Sequence, residues 1–576
     1  ENPSRILVFG DSIAKGIAPY LEQELMSLFA DEERQITIIN GGISGETSEQ
    51  GRERLQRALT CKPNIVVINY GMNDWRKGVS IEQFAKNLRH IVSKCKEQKC
   101  RVILNTINPD HNGSTYRFSQ ENRNGESPEI ELYNEVIRQT SQVQRIRIAD
   151  IYNYWNRYFP KTYLALEDAI HPNWDGYQVS VKAILPVLTR TQNLILWQFN
   201  GRYAHCNYSC PYCYVPTSVN KGMHFNFDLD KWEKAFNKHF GEQKTVFYFS
   251  YGEPMLAKHF YEVLEMVGKN KNWEVKVTSN LSLPLDKLLN STVAKEGRLN
   301  VNASFHPTET TIDEFLLKLE ELRSAGIEPS VVYVMYPPQI DDFEKKYQPL
   351  LRENGYVVHI RAFRGLHKWR KYPGAYTEEQ FCKTAKYMDR ANLKYQLGEV
   401  SGLGRNSCIG MNHLLVDNFG DIEMCDSYVG DRSYGNLFDD ELNLALEPKP
   451  FPGLVPLAAV DDIADYTELG YKDLVGNNVL AYAKQGGVYK KEDGTVVYPF
   501  EDVDFTDLKV RQELMKVDNP FQPEHSFWLN IRWFFYHFVY SFVFKKYGKF
   551  IWAFFKGKWR LLKKGKLKLD RNFWHS

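Results

Sequence analysis

Three cysteines stand close together in the middle of the 576-residue chain: Cys206, Cys210 and Cys213, spaced as CxxxCxxC after an apolar, strand-like run. Three thiolates on one short loop can hold three corners of a cubane iron–sulfur cluster, which leaves the fourth iron for a small molecule. Thiolates bind zinc equally well, and His205 could then supply the fourth ligand. The spacing alone therefore leaves both an iron–sulfur cluster and a zinc site open.

The sequence after these cysteines predicts strands that alternate with helices. A buried-strand run over residues 245–250 ends in Tyr251-Gly252-Glu253-Pro254, and an amphipathic helix is expected over 312–325. Further strand-like runs begin at Val275, Val301, Ser330 and Tyr356. Such alternation predicts a parallel sheet with crossover connections, in which ligands bind at the carboxyl ends of the strands. Polar residues fall at these ends, although each could simply cap the next helix: Glu253, Ser279, Asn280, Ser304 and His306.

Together, the cysteine triplet, the Gly-Glu-Pro turn and the strand order resemble the radical S-adenosylmethionine (SAM) enzymes, with Tyr251 in place of the family's first glycine. The resemblance implies a partial (β/α)6 barrel over about residues 194–370. It also implies a 4Fe-4S cluster on the three cysteines, reductive cleavage of SAM, and hydrogen abstraction by the resulting 5′-deoxyadenosyl radical. A reductant such as flavodoxin or ferredoxin would supply the electron.

The same resemblance assigns roles to residues that would bind SAM. Gly252 and Glu253 would hold the methionyl end, and Tyr212 would lie by the adenine. Ser279 and Ser304, at the ends of predicted strands, are further candidates for the SAM pocket.

The N-terminal part of the chain carries a second chemistry. Ser12 follows the strand-like run 6–9 at a strand-to-helix turn, where its hydroxyl would be accessible to a base. A serine is a weak nucleophile until a histidine accepts its proton, and a carboxylate can orient that histidine. Asp168 and His171 are three residues apart, close enough to pair on one turn. On their own these residues have a simpler interpretation, because Asp and Ser commonly cap helices and His171-Pro172 could merely close the domain at a turn.

Four blocks in this order resemble the SGNH (GDSL-type) hydrolases, particularly their thioesterase and acyl-esterase branch: Gly10-Asp-Ser12, Asn40-Gly-Gly42, Gly71-Met-Asn73-Asp and Asp168-Ala-Ile-His171. The resemblance spans about residues 5–190 and implies a three-layer α/β/α domain. It also implies nucleophilic catalysis by Ser12, with His171 as the base and Asp168 as the carboxylate that orients it. It assigns the donors that stabilise the oxyanion to the backbone N–H groups of Ser12 and Gly42 and to the side-chain amide of Asn73.

Three more cysteines, Cys382, Cys408 and Cys425, follow the predicted barrel. The stretch 408–425 resembles a shortened auxiliary-cluster (SPASM or twitch) module, in which a β-hairpin presents cysteines to a second iron–sulfur cluster. A full site usually needs four ligands, so His413, Asp426 or a substrate atom would have to complete it. A hairpin with buried thiols is an equal alternative.

The charge is divided sharply along the chain. The net charge is +2, but residues 532–576 contain twelve Lys/Arg and one acid, which leaves the preceding residues with a balance of −9. Residues 533–544 are uncharged and aromatic, too short to span a bilayer, and basic residues interleaved with aromatic ones follow. This pattern suits a helix at a membrane surface. A tail docked on the acidic body and an RNA-binding arm are alternatives, but nucleic acid is not the expected partner.

We expect an α/β multidomain enzyme whose reduced, iron-loaded state implies a cytoplasmic location, with the tail on the inner membrane face. The expected division of the chain is a hydrolase domain (1–190), a radical SAM partial barrel (191–375), an auxiliary module (376–445), an accessory segment (446–526) and a basic aromatic tail (527–576). The fusion of two enzyme domains suggests that both act in one pathway. The expected partner is a small-molecule or lipid-linked substrate, and the tail favours a lipid-linked or otherwise membrane-proximal one. Our hypothesis is tailoring of a lipid-linked glycan, with the esterase removing an O-acyl group. The alternatives are modification of a ribosomal peptide, and a membrane-anchored esterase on a non-catalytic metal scaffold.

Overall fold

The structure of the protein is a computed structural model. It describes residues 4–28, 36–110, 130–158, 165–168, 170–189, 192–199, 205–213, 227–397, 406–407, 410–423, 433–440, 442, 444–446, 449–450 and 487–515. The basic aromatic tail, Cys408, Cys425 and Asp426 lie outside these residues.

The N-terminal domain is built on a five-stranded parallel sheet in the order β2-β1-β3-β4-β5. Its strands are β1 (Ser4–Gly10), β2 (Ile36–Gly42), β3 (Ile65–Asn69), β4 (Arg101–Asn105) and β5 (Arg147–Ala149). β3 is an uninterrupted apolar run and is buried along its whole length, as expected for a parallel strand covered on both faces. The predicted strand at 6–9 is confirmed as part of β1.

In the described part of this domain, seven helices accompany the sheet: α1 (Ser12–Leu28), α2 (Ser48–Ala58), α3 (Met72–Lys77), α4 (Ile81–Glu97), α5 (Ile130–Gln144), α6 (Ile151–Tyr158) and α7 (Trp174–Thr189). A 3-10 turn, Leu59–Cys61, follows α2. Contacts group α1, α6 and α7 together, and α2, α4 and α5 together. The sheet and these helices enclose one hydrophobic core, separate from the core of the second domain.

The second domain contains a nine-stranded sheet in the order β11-β10-β9-β8-β7-β6-β15-β16-β17. Six consecutive parallel strands form the predicted partial barrel: β6 (Asn193–Trp197), β7 (Thr245–Phe249), β8 (Trp273–Ser279), β9 (Leu299–Ser304), β10 (Ser330–Met335) and β11 (Val358–Ala362). Because the strands are parallel, their carboxyl ends share one edge of the sheet, and the loops that follow them meet there.

Helices and turns connect these strands: α8 (Leu229–Phe240), α9 (Phe260–Gly268), α10 (Asp286–Leu289), α11 (Thr292–Lys295), α12 (Ile312–Ser324), α13 (Ile340–Asp342) and α14 (Gln348–Glu353). Residues Pro254–Leu256 and Pro337–Gln339 form 3-10 turns, and Phe343–Tyr347 forms a π-helical turn. The predicted helix at 312–325 is α12. Its start is stabilised by a capping box between Thr311 and Glu314, which satisfies donors that a helix N-terminus leaves unpaired.

The segment after the barrel returns to its sheet. A hairpin, β12 (Gly365–His367) and β13 (Arg370–Tyr372), is followed by α15 (Glu378–Ala385), α16 (Arg390–Asn392), a π-turn (Leu393–Leu397) and β14 (Asn406–Ser407). β15 (His413–Val416) then pairs in parallel with β6, and β16 (Asp421–Glu423) and β17 (Ser433–Asn436) continue the sheet in antiparallel fashion. The hairpin expected after residue 408 is present at 413–423, and it extends the barrel sheet.

The remaining described elements are β18 (Lys449–Pro450), which pairs with β14, then β19 (Tyr489–Lys490), β20 (Val496–Val497) and α17 (Leu508–Met515). β19 and β20 form an antiparallel hairpin around the Asp493-Gly494 turn. Between β17 and β18 the chain reaches the N-terminal domain, where the Ile148 N–H donates to the Leu446 carbonyl (3.1 Å). No helix among the described residues is long and apolar enough to cross a bilayer.

Candidate functional site

Ser12 lies where β1 turns sharply into α1. At Gly10, the last residue of β1, an added Cβ would lie 2.0 Å from the Asn69 carbonyl oxygen, so a side chain cannot fit. The next backbone N–H, that of Asp11, donates to the same carbonyl (3.3 Å), and the Asp11 carboxylate accepts from the Ile13 N–H (2.9 Å). These contacts fix the turn that presents Ser12 at the start of α1.

Ser12, His171 and Asp168 form one hydrogen-bonded chain. Ser12 Oγ lies 2.9 Å from His171 Nε2, and His171 Nδ1 lies 2.7 Å from Asp168 Oδ2. Burial alone would raise the pKa of Asp168, but the backbone N–H groups of His171 and Ile170 and the imidazole lower it overall. An ionised Asp168 accepts a hydrogen bond from the Nδ1–H group of His171. The unprotonated Nε2 can then take the proton of the serine hydroxyl. This arrangement can activate Ser12 as a nucleophile.

The three proposed oxyanion donors lie at neighbouring strand ends. Ser12 begins α1, so its N–H has no acceptor within the helix. Asn73 is buried at the start of α3 and donates one amide hydrogen to the Glu46 carbonyl (3.1 Å), which leaves its second hydrogen. The Gly42 N–H donates to Asn40 Oδ1 (3.1 Å) and so already has an acceptor inside the protein. The oxyanion roles of these residues stay predictions.

A buried ionic network holds these strand ends together, and the sequence reasoning missed it. Arg54 on α2 donates to both Glu46 oxygens (2.5 and 2.6 Å) and to the Gly41 carbonyl (2.7 Å). A longer bond reaches the Gly10 carbonyl (3.3 Å), and the Tyr70 hydroxyl donates to Glu46 (2.6 Å). Arg54 therefore ties β1 to β2 at Gly10, two residues before Ser12, and at Gly41, directly before Gly42. Glu46 lies four residues after the Asn40-Gly-Gly42 block, and the sequence does not indicate its partners.

Asp11 is buried beside the catalytic chain. Its side chain is fully inaccessible, and Oδ2 has no hydrogen-bond partner in the described residues. Burial raises the pKa of Asp11 to about 7, against the lowering effect of the Ile13 and Ala14 backbone N–H groups. Asp11 therefore gains its charge only near neutral pH, close to His171.

In the second domain, Cys206, Cys210 and Cys213 lie on the loop that follows β6. The Cys213 N–H donates to the Cys210 carbonyl (3.0 Å), and Cys206 Sγ accepts from the Tyr208 N–H (3.4 Å). Burial, together with the nearby Glu309, Cys213 and Cys206, raises the pKa of Cys210 to about 12. A bound cation ionises such thiols, and three thiols on one loop are the donor set that an iron–sulfur cluster uses. A bound cluster would supply the electron for reductive cleavage of SAM.

Glu253, at the carboxyl end of β7, is buried in a closed set of hydrogen bonds. Its carboxylate accepts from the Met255 N–H (3.1 Å), the Ser279 hydroxyl (3.0 Å) and the Asn280 N–H (2.8 Å). Burial raises its pKa to about 7, although these donors lower it. Tyr251 and Gly252 both have positive φ (+72° and +63°), which forms the sharp turn before Glu253. The carboxylate thus shapes the turn and fixes Ser279, and the predicted contacts of Gly252, Glu253 and Ser279 with SAM stay predictions.

Tyr212 is buried between the cysteine loop and the neighbouring strand ends. Its ring stacks on His306 with centroids 5.8 Å apart, and its hydroxyl lies 3.0 Å from His306 Nδ1. Burial lowers the pKa of His306 to about 4, so the imidazole is neutral at pH 7. Tyr336, after β10, packs on the other side with centroids 5.3 Å apart. Ser304 is half-buried at the end of β9, on the same edge.

Comparison with protein families decides the nature of both halves. Residues 8–179 match the GDSL-like Lipase/Acylhydrolase family, and residues 202–350 match the Radical SAM superfamily. The chain joins a GDSL-like hydrolase domain to a radical SAM domain. The hydrolase match contains Ser12, Asp168 and His171, and the radical SAM match contains all three clustered cysteines, Gly252 and Glu253.

Two of the relatives that match part of the chain are named as esterases. An arylesterase of Vibrio mimicus is 32% identical over 118 residues, which are 19% of this chain and 59% of the relative. Esterase TesA of Pseudomonas aeruginosa is 34% identical over 117 residues, which are 19% of this chain and 58% of the relative. The chain thus spans less than two thirds of either. Among solved structures, the α/β hydrolase LAE5 from the metagenome of Lake Arreo covers 32% of this chain and 93% of its own, at 23% identity and a TM-score of 0.28.

The residues expected to complete a second cluster are not brought together in the described part of the chain. Cys382 lies on α15 and lines a cavity of about 470 Å³ with Lys383, Asp504 and Phe505. Burial raises the pKa of its thiol. His413 begins β15, next to β6 of the radical SAM domain. With Cys408 and Cys425 outside the described residues, the auxiliary cluster stays a prediction.

The zinc alternative involves His205, which precedes the cysteine loop of the radical SAM domain. Its backbone carbonyl accepts from the Glu253 N–H (2.9 Å), and its Nδ1 is buried without a hydrogen-bond partner in the described residues. Within those residues, no three His, Cys, Asp or Glu side chains are grouped as ligands of a metal ion. His205 thus has a nitrogen to offer a ligand, and its imidazole makes no hydrogen bond through it.

Proposed function

We propose that the chain is a bifunctional tailoring enzyme in which the hydrolase domain removes an acyl group and the radical SAM domain abstracts hydrogen from the same substrate class. The hydrogen-bonded chain of Ser12, His171 and Asp168 carries the hydrolytic part. The radical part rests on three cysteines of one loop, which lies at the same edge of the sheet as the Gly252-Glu253 turn.

In the hydrolytic half-reaction, the Ser12 oxygen attacks the carbonyl carbon of an ester and its proton passes to His171 Nε2. Asp168 stabilises the imidazolium that forms. The Ser12 N–H and the second amide hydrogen of Asn73 are available to the oxygen of the tetrahedral intermediate. His171 then protonates the departing alcohol, and water releases the acyl group from Ser12 by the same route.

The proposed substrate is a lipid-linked glycan or another membrane-proximal intermediate. Two features support it: the fused domains imply a substrate that carries both an ester and a position for hydrogen abstraction, and the basic aromatic sequence of 527–576 is typical of membrane-surface segments. We also propose a cytoplasmic location at the inner membrane face and reduction by a flavodoxin or ferredoxin. Docking on the protein's own surface is the alternative role of the tail.

The experiment is acetate release from an O-acetylated, lipid-linked oligosaccharide presented in anionic vesicles. We expect release by the full chain, no release by Ser12→Ala, and unchanged release by Cys210→Ala. Vesicle co-sedimentation at low and high salt tests the location. If the same fraction of the full chain stays in the supernatant with and without vesicles, the proposal of a lipid-linked substrate is contradicted. The esterase activity would be unaffected by that result.

A second candidate is an esterase on a non-catalytic, zinc-stabilised scaffold. The buried and unpartnered Nδ1 of His205, directly before Cys206, favours it, since three thiolates and one imidazole form a common zinc site. Metal analysis of anaerobically purified protein separates the two. Iron and sulfide with no zinc support the radical SAM function, whereas stoichiometric zinc that is lost in His205→Ala supports the scaffold.

A further inference from the structure

A short, strongly basic hairpin stands at the mouth of the radical SAM barrel. We define the basic hairpin as residues 364–372, which comprise β12, β13 and the Lys368-Trp369 turn between them. It begins two residues after β11 ends at Ala362. Because the carboxyl ends of the barrel strands share one edge, the hairpin rises on the same side as the cysteine loop.

The base of the hairpin packs directly on the cysteine loop. Tyr372 and Phe363 form a small buried cluster with Tyr212, and Cys210 packs against that cluster. His367 Nδ1 lies 2.8 Å from the Tyr336 hydroxyl, and the Tyr336 ring contacts Tyr212. The hairpin is therefore held next to the site that would bind the cluster and SAM.

The tip of the hairpin is built with residues that a stable turn would not select. Both turn residues have left-handed backbone, with φ of +48° at Lys368 and +63° at Trp369. Two-residue turns of this type favour Asn-Gly, and a bulky residue at positive φ is rare. The Trp369 side chain is also 87% exposed, so burial does not hold it in place. A left-handed backbone that presents a bulky, exposed ring at the tip of a turn is the kind of outlier found at ligand-binding sites.

The hairpin also concentrates positive charge. Arg364, Lys368, Arg370 and Lys371 lie within eight positions, and no acid occurs between Arg361 and Thr377. Lys368, Arg370 and Lys371 are exposed. The chain before residue 532 has a balance of −9, so this patch opposes the overall charge of the body. Lysine and arginine side chains bind phosphate groups. An exposed aromatic ring can pack against the apolar face of a sugar or against a nucleobase.

We propose that the basic hairpin binds a sugar diphosphate, with Trp369 against the ring and Lys368, Arg370 and Lys371 on the diphosphate. The inference deepens the proposed function and rests on it, because a lipid-linked glycan carries this group next to its first sugar. A nucleotide sugar carries the same group. The contacts of the hairpin with Tyr336 and Tyr212 would then place the sugar at the mouth of the SAM site.

The test is the Kd of the full-length, cluster-loaded protein for three probes: UDP-N-acetylglucosamine, a short-chain polyprenyl diphosphate N-acetylglucosamine, and inorganic pyrophosphate. One variant combines Lys368→Asn with Trp369→Gly, which keeps a favourable turn but removes ring and charge. A second combines Arg370→Gln with Lys371→Gln. The matched control combines Lys269→Gln with Lys271→Gln. These two lysines precede β8 and so lie at the amino ends of the strands, opposite the hairpin.

We expect the Kd for both sugar diphosphates to rise at least tenfold in each hairpin variant. The Kd of the control should stay within twofold of that of the unmodified chain. Added salt should weaken the binding of both sugar diphosphates to the unmodified chain. Stronger binding of the lipid than of the nucleotide form assigns the lipid as the source, and the reverse assigns the nucleotide. The inference is overturned if neither sugar diphosphate binds, or if the hairpin variants bind them as tightly as the unmodified chain does. It is also overturned if inorganic pyrophosphate binds as tightly as the two sugar diphosphates.

A parallel measurement separates this inference from the proposed function. Uncoupled 5′-deoxyadenosine formation without substrate reads the SAM centre alone, and the hairpin variants should retain it. If the unmodified chain forms no 5′-deoxyadenosine, the proposed radical function is wrong, irrespective of the binding results. If 5′-deoxyadenosine forms but the hairpin variants bind the sugar diphosphates as the unmodified chain does, only the inference about the hairpin is wrong.

Discussion

Ser12 Oγ and His171 Nε2 lie 2.9 Å apart although 159 positions separate them in the chain. The distance is set by two unrelated features, the Gly10 turn that presents the serine and the 168–171 turn that Asp168 closes through hydrogen bonds to the backbone N–H groups of Ile170 and His171. A pairing over this separation is difficult to explain as a by-product of packing, because both side chains are only partly buried.

Removing the base should abolish ester hydrolysis while the fold is kept. We expect His171→Gln to lower kcat for p-nitrophenyl acetate by about 10³-fold or more, since the serine loses its proton acceptor. Cys210→Ala, in the other domain, is the matched control and should hydrolyse at the full rate. Retention of more than a tenth of the rate by His171→Gln would contradict the assignment.

Breaking the Arg54 network should destabilise the N-terminal domain. Arg54→Met leaves Glu46, which is 6% exposed, without its ionic partner, and about 3 kcal/mol is expected from such a loss. Arg52→Met is the control, because Arg52 forms only a 3.7 Å pair with the half-exposed Glu49 and should cost less than about 1 kcal/mol. Hydrogen exchange of peptides covering β1 and β2 in the full chain reports the difference, and equal protection in both variants would refute it.

The stability of the N-terminal domain should fall as pH rises from about 4 to 7. Asp11 has a pKa of about 7 in the folded chain and 3.8 as its ordinary value, so in this window the folded chain keeps a proton that the unfolded chain has lost. The loss is about 1.4 kcal/mol per pH unit for one such group. Asp11→Asn should flatten the dependence measured by hydrogen exchange of β1. An equally steep fall in Asp11→Asn would assign the effect to another group.

Glu253 should prove sensitive even to its closest replacement. Glu253→Gln places an NH2 group against three donors, so at least one hydrogen bond to a charged acceptor is lost, at about 1.5–3 kcal/mol. We expect faster hydrogen exchange at the end of β8 and weaker SAM binding. Glu262→Gln, an exposed carboxylate paired with His259, should change neither. Unchanged SAM binding by Glu253→Gln would remove Glu253 from the pocket.

Local sequence signals predicted the elements that position both sites. The predicted runs at Thr245–Phe249 and Ser330–Met335 are strands, and in both of them every second residue is buried while the others are half-buried. The pairing of Ser12 with Asp168 and His171 was predicted from the resemblance of four sequence blocks to the SGNH hydrolases. The strands depend on apolar runs and the Asp168–His171 pair on short spacing, which the sequence displays directly, whereas the link from Ser12 to His171 spans 159 positions.

What the sequence could not predict depends on long-range contacts or on atypical turns. β15 pairs with β6 although Leu414 and Ile195 are far apart in the chain, and four residues carry too little periodicity to indicate a partner. Arg54 gave no signal because its acceptors are two backbone carbonyls and a carboxylate contributed by other elements. The hairpin at 364–372 was missed because Lys368-Trp369 occupies a turn in which Asn-Gly is the recognisable signature.

The most direct measurement is 5′-deoxyadenosine formation by anaerobically reconstituted protein with SAM and dithionite, beside Cys210→Ala and the control Cys382→Ser. We predict product from the unmodified chain and from Cys382→Ser, and none from Cys210→Ala, which also binds less iron. The account would be contradicted by an intact cluster, shown by iron and sulfide analysis, that forms no 5′-deoxyadenosine. The Ser12 esterase would then be the one activity left, with the barrel as its binding or electron-transfer partner.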